Sequence, residues 1–182
     1  MSTPAHSLQT SSLRKEYPGT VALDDVTVSF DGGRIHALIG KNGAGKSTLV
    51  RIIAGATQPT RGSILVDGLP VSLPSPRHAL ERGIVAVHQE LSLVPELTVA
   101  ENILLGRLPK KGGPENFVID WKQTFTRAEQ VLADLDVALD VRQKAGRLGI
   151  AQQQVVEIAK AMSYDPSILI LDEPTSALAQ HE

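Results

Sequence analysis

The chain has 182 residues, 42% of them hydrophobic and 21% charged, with a formal net charge of −2, which suits one domain with a substantial core and a small subdomain. The near-neutral balance leaves no basic footprint for wrapping nucleic acid, and no apolar run approaches the length of a bilayer span. Zero cysteines exclude disulfides and thiolate metal sites, and the N-terminus Met1 to Ser7 has neither the basic nor the apolar region of a signal peptide, so a cytoplasmic protein is expected, reaching a membrane only through a partner.

In chain order, Val26, Val28 and Phe30 alternate with Thr27 and Ser29, the pattern of a strand buried on one face. Asp31-Gly32-Gly33 supplies a turn, and Arg34 to Ile39 reads as an apolar strand running into a glycine-rich loop, Gly40 to Ser47. A helix is expected from Thr48 to Ala54. Ser63 to Val66, Asp67-Gly68 and Leu69 to Leu73 form a second strand–turn–strand unit, followed by helical pattern from Pro76 to Arg82. Ile84 to Val87 and Ile168 to Leu171 are continuous apolar runs, as expected of parallel strands covered on both faces.

The middle of the chain is helical in character. Trp121, Phe125, Ala128, Leu132 and Leu135 step by 4, 3, 4 and 3, one apolar stripe with Asp120 as its N-cap. Pro109 to Pro114 before it reads as a surface loop. Val155, Ile158, Ala159 and Met162 mark a further helix over Ala151 to Ser163. The expected fold is therefore α/β: a core of residues 7–98 and 165–182 with a mainly parallel sheet and an N-terminal antiparallel β part. A helical subdomain, 99–164, is inserted in it. No internal repeat is visible.

Gly40-Lys41-Asn42-Gly43-Ala44-Gly45-Lys46-Ser47 fits the phosphate loop pattern G-x-x-x-x-G-K-[ST]. A polyphosphate needs backbone N–H groups at close range, which calls for glycines that remove side chains and permit positive φ. The helix starting at the loop adds its N-terminal dipole. Lys46 brings a mobile cation to the β- and γ-phosphates, and the Ser47 hydroxyl can ligate Mg²⁺. The expected ligand is ATP with magnesium, held by Gly40, Asn42, Gly43, Ala44, Gly45, Lys46, Ser47 and Thr48.

The apolar run to Leu171 ends in Asp172-Glu173-Pro174. In parallel α/β sheets ligands collect at the carboxyl ends of strands. Asp172 is expected to serve magnesium, directly or by holding one of its ligands. Glu173 is expected to orient and polarise the water that attacks the γ-phosphate.

With these motifs in place the sequence resembles the ATP-binding cassette ATPases, the motor subunits of ABC transporters, over essentially its whole length. The resemblance implies that Ile84 to Glu90 is a strand and Q-loop, with Gln89 contacting magnesium and the attacking water and sensing a membrane permease. It implies that Tyr17 is the aromatic that stacks on adenine, a contact that recognises a base without reading its edge. Ser176 to Ala179 resembles the D-loop, with Ala179 where many members have aspartate. His88 to Pro95, Thr98 to Arg107 and Gln152 to Ala161 are similar to importers of ribose and other monosaccharides. The implied partners are a membrane permease and a second ATP-binding cassette, with no nucleic acid.

The sequence departs from the family pattern in two places. The signature, usually Leu-Ser-Gly-Gly-Gln, reads Leu148-Gly149-Ile150-Ala151-Gln152. Gly149 keeps the backbone N–H groups and the dipole but lacks the serine hydroxyl, so Gly149 and Gln152 are expected to meet nucleotide through a weakened contact. The sequence also reaches only Glu182, so the family's later switch histidine has no counterpart, and His181 reads as a terminal residue. The leading expectation is the ATPase subunit of a sugar importer. A catalytically impaired nucleotide-binding half-site and a soluble cassette of DNA repair or translation stand as the alternatives.

Overall fold

Alternating residues in the first third of the chain fold into antiparallel strands. The structure, a computed structural model, describes residues 6–87, 91–113 and 115–172. Strand β1 (Leu8–Tyr17) turns at Pro18-Gly19 into β2 (Thr20–Phe30), with Tyr17 opposite Thr20 and Leu8 opposite Phe30. On the other edge of β1 lies β3 (Arg61–Val66), and β4 (Leu69–Val71) follows it, giving the order β2-β1-β3-β4 with all neighbours antiparallel. The β3–β4 turn is Asp67-Gly68, both left-handed at φ 51 and 75, the two-residue geometry whose twist matches a hairpin. Pairing of β1 with β2 is irregular between Thr10 and Leu13. Buried Thr10 bridges the irregularity, its hydroxyl donating to Val26 O at 3.1 Å and accepting from Val28 N at 3.0 Å.

Helix α1 (Lys46–Ile53) buries Leu49, Ile52 and Ile53 against Leu8, Leu13 and Leu23. Helix α2 (Pro76–Glu81) opens with a proline in its first turn, where no N–H is needed, and inserts Ala79 into the same core. Strands β5 (Ile84–Val87) and β6 (Ile168–Leu171) form a separate two-stranded sheet. Ser167 N and Ile168 N both donate to Gly83 O, and Asp172 N donates to Val87 O. Both segments thus advance in the same direction, and the pair is parallel.

The strand expected at Arg34 to Ile39 is not formed. These residues carry no regular structure, and all six are exposed, Ile35 completely and Ile39 at 89%. Their apolar pattern suits a strand covered on both faces, and no described element lies alongside to cover it.

The helical part has its own core of Val99, Ile103, Leu132, Val156 and their neighbours. Helix α3 (Val99–Ile103) starts in a capping box: Glu101 N donates to the Thr98 hydroxyl, and Thr98 N donates to the Glu101 carboxylate. Fully buried Asn102 uses its amide to hold the preceding turn, accepting from Val94 N and donating to Val94 O and Thr98 O. Helix α4 (Trp121–Asp134) is capped by Asp120, which accepts from Gln123 N at 3.0 Å, as its position before the apolar stripe predicts. Helix α5 (Ile150–Met162) follows a short 3-10 turn at Ala145–Arg147. The described residues of Met1–Ala86 with Ser167–Ile170 make one compact unit, and those of Val87–Pro166 with the remainder make a second. No described helix is long and apolar enough to cross a membrane.

Candidate functional site

The glycine loop is shaped by its seat on β2. Gly45, at φ 87, is the residue before α1, and a Cβ there would stand 2.5 Å from Ala22 O and 2.6 Å from a Leu23 methyl. Only glycine permits both that conformation and that approach. Gly43 is likewise left-handed at φ 79, while Ala44 N closes a turn onto Lys41 O at 3.1 Å. The first helical bond runs from Leu49 N to Gly45 O. The N–H groups of Lys46, Ser47 and Thr48 therefore begin a helix without intrahelical acceptors. No acidic residue lies in this first turn to compete for them.

Lys46 folds back over the loop. Its ammonium donates to Gly40 O at 2.7 Å and Lys41 O at 3.0 Å. The loop thus offers N–H groups without acceptors among the described residues, a cation on a flexible stem, and an exposed Ser47. This donor set fits a polyphosphate. The Ser47 hydroxyl also suits a magnesium ion that shares phosphate and water oxygens.

Tyr17 ends β1 two residues beyond Lys15, whose partner across the hairpin is Leu23, the residue on which Gly45 rests. The hairpin therefore carries the ring to the end of the sheet that supports the loop. Tyr17 is 41% exposed, with the Lys15 ammonium 5.0 Å from its ring centroid. Gly40, Asn42, Gly43 and Ala44 are exposed along the loop.

In the second unit, Gly149 stands just before α5 in extended backbone, φ −65 and ψ 158. Its N–H donates to the Gln152 side-chain oxygen at 3.3 Å, a half capping box, and the space where a Cβ would stand is open. Gln153 donates to Ala145 O and Leu148 O, fixing the approach to the helix. Asp172 follows β6, its N–H on Val87 O at 3.0 Å. Gln89, Glu173, the Ser176 to Ala179 segment and His181 lie outside the described residues.

One polar cluster escaped the sequence reading. Glu157, 8% exposed on α5, accepts from the backbone N–H of Ser92, and Lys160 donates to the Ser92 hydroxyl at 2.8 Å. A glutamate at a core-facing helical position, one turn before a lysine, is the only sequence signal for it.

A family model described as ABC transporter matches residues 23–176. A putative ribose/galactose/methyl galactoside import ATP-binding protein of Agrobacterium fabrum is 47% identical over all 182 residues, which cover 36% of that protein. Among solved structures, a nucleotide-free ATP-binding cassette from an ABC transporter superposes with a TM-score of 0.80 at 27% identity, over 94% of this chain and 70% of that one. A dimeric ATP-binding cassette in a post-hydrolysis state, bound to ADP and Pi, superposes with a TM-score of 0.74 at 26% identity, covering 93% and 75%. The chain spans about a third of the length of the curated relatives it matches.

Proposed function

This chain belongs to the ABC transporter family, and from that premise we propose that it binds MgATP and supplies the energy-coupling ATPase of an importer for monosaccharides. The loop at Gly40 to Ser47 carries this reading, with N–H groups that lack acceptors among the described residues, no acid in the first turn of α1 and the Lys46 ammonium resting on main-chain carbonyls. Sugar import is supported by the 47% identical relative, whose name describes import of ribose or galactosides.

When ATP enters, Lys46 leaves the carbonyls of Gly40 and Lys41 for the β- and γ-phosphate oxygens, a stronger, charge-assisted partner. The N–H groups of Gly43, Gly45, Lys46 and Ser47 surround the same phosphates, and Thr48 continues the helix that points at them. Tyr17 packs its ring on adenine. Ser47, Asp172 and Gln89 are the residues that would hold magnesium, whose chemistry there is to neutralise charge on the phosphate oxygens. Glu173 and Gln89 orient a water for attack on the γ-phosphorus. The bond to the bridging oxygen breaks to leave ADP, and the water's proton passes late to Glu173.

In this reading Gly149 and Gln152 face the nucleotide held by a second cassette. A membrane permease carries the sugar and keeps the ATPase at the cytoplasmic face of the membrane. Gly149 stands where the usual signature has a serine and has no hydroxyl to offer a nucleotide, which favours a second reading: a composite site that binds nucleotide and turns it over weakly.

Titration of the purified chain with a fluorescent ATP analogue and Mg²⁺ tests the proposal. Binding is expected, and Lys46→Ala should weaken it at least about tenfold by removing a charge-assisted contact. A chain that binds no nucleotide sinks the reading. The isolated chain is expected to hydrolyse ATP poorly, and rapid turnover lost on Glu173→Gln would overturn that part of it.

A further inference from the structure

Asparagine followed by glycine is the pair in which a main-chain nitrogen most readily attacks the side chain before it, because glycine brings no Cβ to crowd the approach. The chain has three asparagines, Asn42, Asn102 and Asn116, and only Asn42 precedes a glycine. Lys41 to Ala44 forms a turn closed by Ala44 N on Lys41 O at 3.1 Å, with exposed Asn42 and Gly43 at its centre. Gly43 is left-handed at φ 79, and nothing lies within 4 Å of where its Cβ would stand. Among the described residues its N–H has no main-chain acceptor, and the Asn42 amide has no hydrogen-bond partner.

The other two asparagines are held in place. Asn102 is fully buried, its oxygen accepting from Val94 N at 2.8 Å and its nitrogen donating to Val94 O and Thr98 O at 3.0 Å. Asn116 is exposed, but its oxygen accepts from Val118 N at 3.0 Å, and Phe117 follows it. Exposure, an unengaged amide and an uncrowded following nitrogen therefore coincide at Asn42 alone of the three.

We propose that Asn42-Gly43 is a self-modification site, at which the Gly43 nitrogen attacks Asn42 Cγ and the side-chain amide is lost as ammonia. The Gly43 N–H gives its proton to solvent, and the new N–C bond closes a succinimide ring. The bond from Cγ to the amide nitrogen breaks as the leaving nitrogen takes up a proton. Water then opens the ring: attack at Cγ leaves aspartate, and attack at the Asn42 main-chain carbonyl leaves isoaspartate, with an extra methylene in the backbone. The attacking species is the amide anion, which the Lys46 ammonium, 3.0 Å from Lys41 O, and the positive end of α1 both favour. Either product puts a carboxylate where the proposed function places phosphate, and isoaspartate also displaces the Gly43 N–H. A bound phosphate engages that N–H and stills the turn, so the modification retires loops that stand empty and spares occupied ones. The chemistry at Asn42 depends on the turn alone; its effect on nucleotide rests on the proposed function.

The test incubates the full 182-residue chain in mildly alkaline buffer and follows each asparagine by peptide mapping, which reads the mass change from amide to acid and separates isoaspartate from aspartate. Asn42 should convert at least about tenfold faster than Asn116, whose following residue carries a side chain, and Asn102 should stay intact. The same chain unfolded in urea gives the reference rate. Folded Asn42 should react within about tenfold of it, whereas a site that reacts only through global opening would be slower by about a thousandfold or more. A rate that low overturns the proposal, as does conversion of Asn116 as fast as Asn42. Asn42→Gln, whose longer side chain disfavours ring closure, should keep its amide. Loss of that amide at the parent's rate would assign the reaction to plain hydrolysis and overturn attack by Gly43.

MgATP at about ten times its dissociation constant should slow conversion about tenfold, since only the empty loop reacts. Unchanged conversion with nucleotide measurably bound overturns the sparing of occupied loops. Converted chain is separated from fresh chain by ion exchange and checked for an unchanged circular dichroism spectrum. It should bind MgATP at least about tenfold more weakly than fresh chain, and Asn42→Asp should shift affinity in the same direction. Full affinity in folded, converted chain overturns the retirement of empty loops. If the fresh chain binds no nucleotide, the proposed function fails, while mass and rate still decide the chemistry at Asn42.

Discussion

The backbone N–H of Ser92 donates to the carboxylate of Glu157, 65 residues away on α5. Lys160, one turn further along α5, reinforces the link at the Ser92 hydroxyl and stands 3.9 Å from the same carboxylate. The segment around Ser92 is thereby pinned to the helix that begins beside Gly149. Glu157→Ala should strip the Ser92 N–H and the Lys160 ammonium of a mostly buried partner, and should cost about 1–3 kcal/mol. Glu157→Gln keeps an acceptor for Ser92 and should cost less. Urea denaturation followed by helical signal checks the order. A fall in midpoint at constant slope is expected, and an alanine variant as stable as the parent would show that the link contributes nothing.

Gly45 gives a sharper test of the loop. A methyl group there meets Ala22 O at 2.5 Å in a conformation, φ 87, that L-residues adopt only under strain. Gly45→Ala should therefore lose about 1–2 kcal/mol from the left-handed backbone alone, with further loss as the loop lifts from β2. Nucleotide binding should disappear before the fold does. Thermal melts with and without MgATP read both effects: the variant's melting temperature should fall and should no longer respond to nucleotide. An unchanged response would mean that the seat on β2 does not shape the site.

Much of this site was legible because glycine, lysine and serine at fixed spacing leave few alternatives for the main chain around Gly40 to Ser47. The Asp67-Gly68 turn and the Asp120 cap were legible for the same local reason: each is decided within four residues. The failure at Arg34 to Ile39 was of another kind. Apolar alternation reports what a segment is suited to pack against, and it carries no information on whether the neighbour is present. The Ser92–Glu157 link was invisible because sequence gives no distance between residues so far apart. Gln89 and Glu173, assigned from their motifs, lie outside the described residues and remain proposals.

Asp67 provides a pH test outside the nucleotide site. Its carboxyl is held below the ordinary carboxylate range, first by the hydrogen bond from His6 at 2.7 Å and then by the Ser7 N–H at 2.8 Å. A carboxyl whose folded pKa is depressed contributes stability above its unfolded pKa of about 4 and loses it as pH falls through the folded value. Asp67→Asn keeps a residue that tolerates φ 51 while removing the charge. The parent should melt higher than the variant near neutral pH. The gap should close as pH falls below about 4 and vanish in stronger acid. A gap that persists at low pH would assign the effect to the turn's shape and not to the carboxylate.

Gly149 decides between the two readings of the site. Its φ of −65 and the open space around it mean that a serine fits without moving a neighbour. As a helix cap, Gly149→Ser should change the stability of α5 by only a few tenths of a kcal/mol. As a donor to a phosphate bound on a second cassette, the new hydroxyl could add about 1.5–3 kcal/mol, because the hydrogen bond is to a charged group. The two contributions separate experimentally: melting of the isolated chain reads the cap, and ATPase activity with a second cassette present reads the phosphate contact. An unmoved melting temperature with a marked rise in assembled activity would show that the missing hydroxyl had weakened a working composite site. If neither quantity moves, Gly149 is not at a phosphate in the assembly and the weakened-site reading fails.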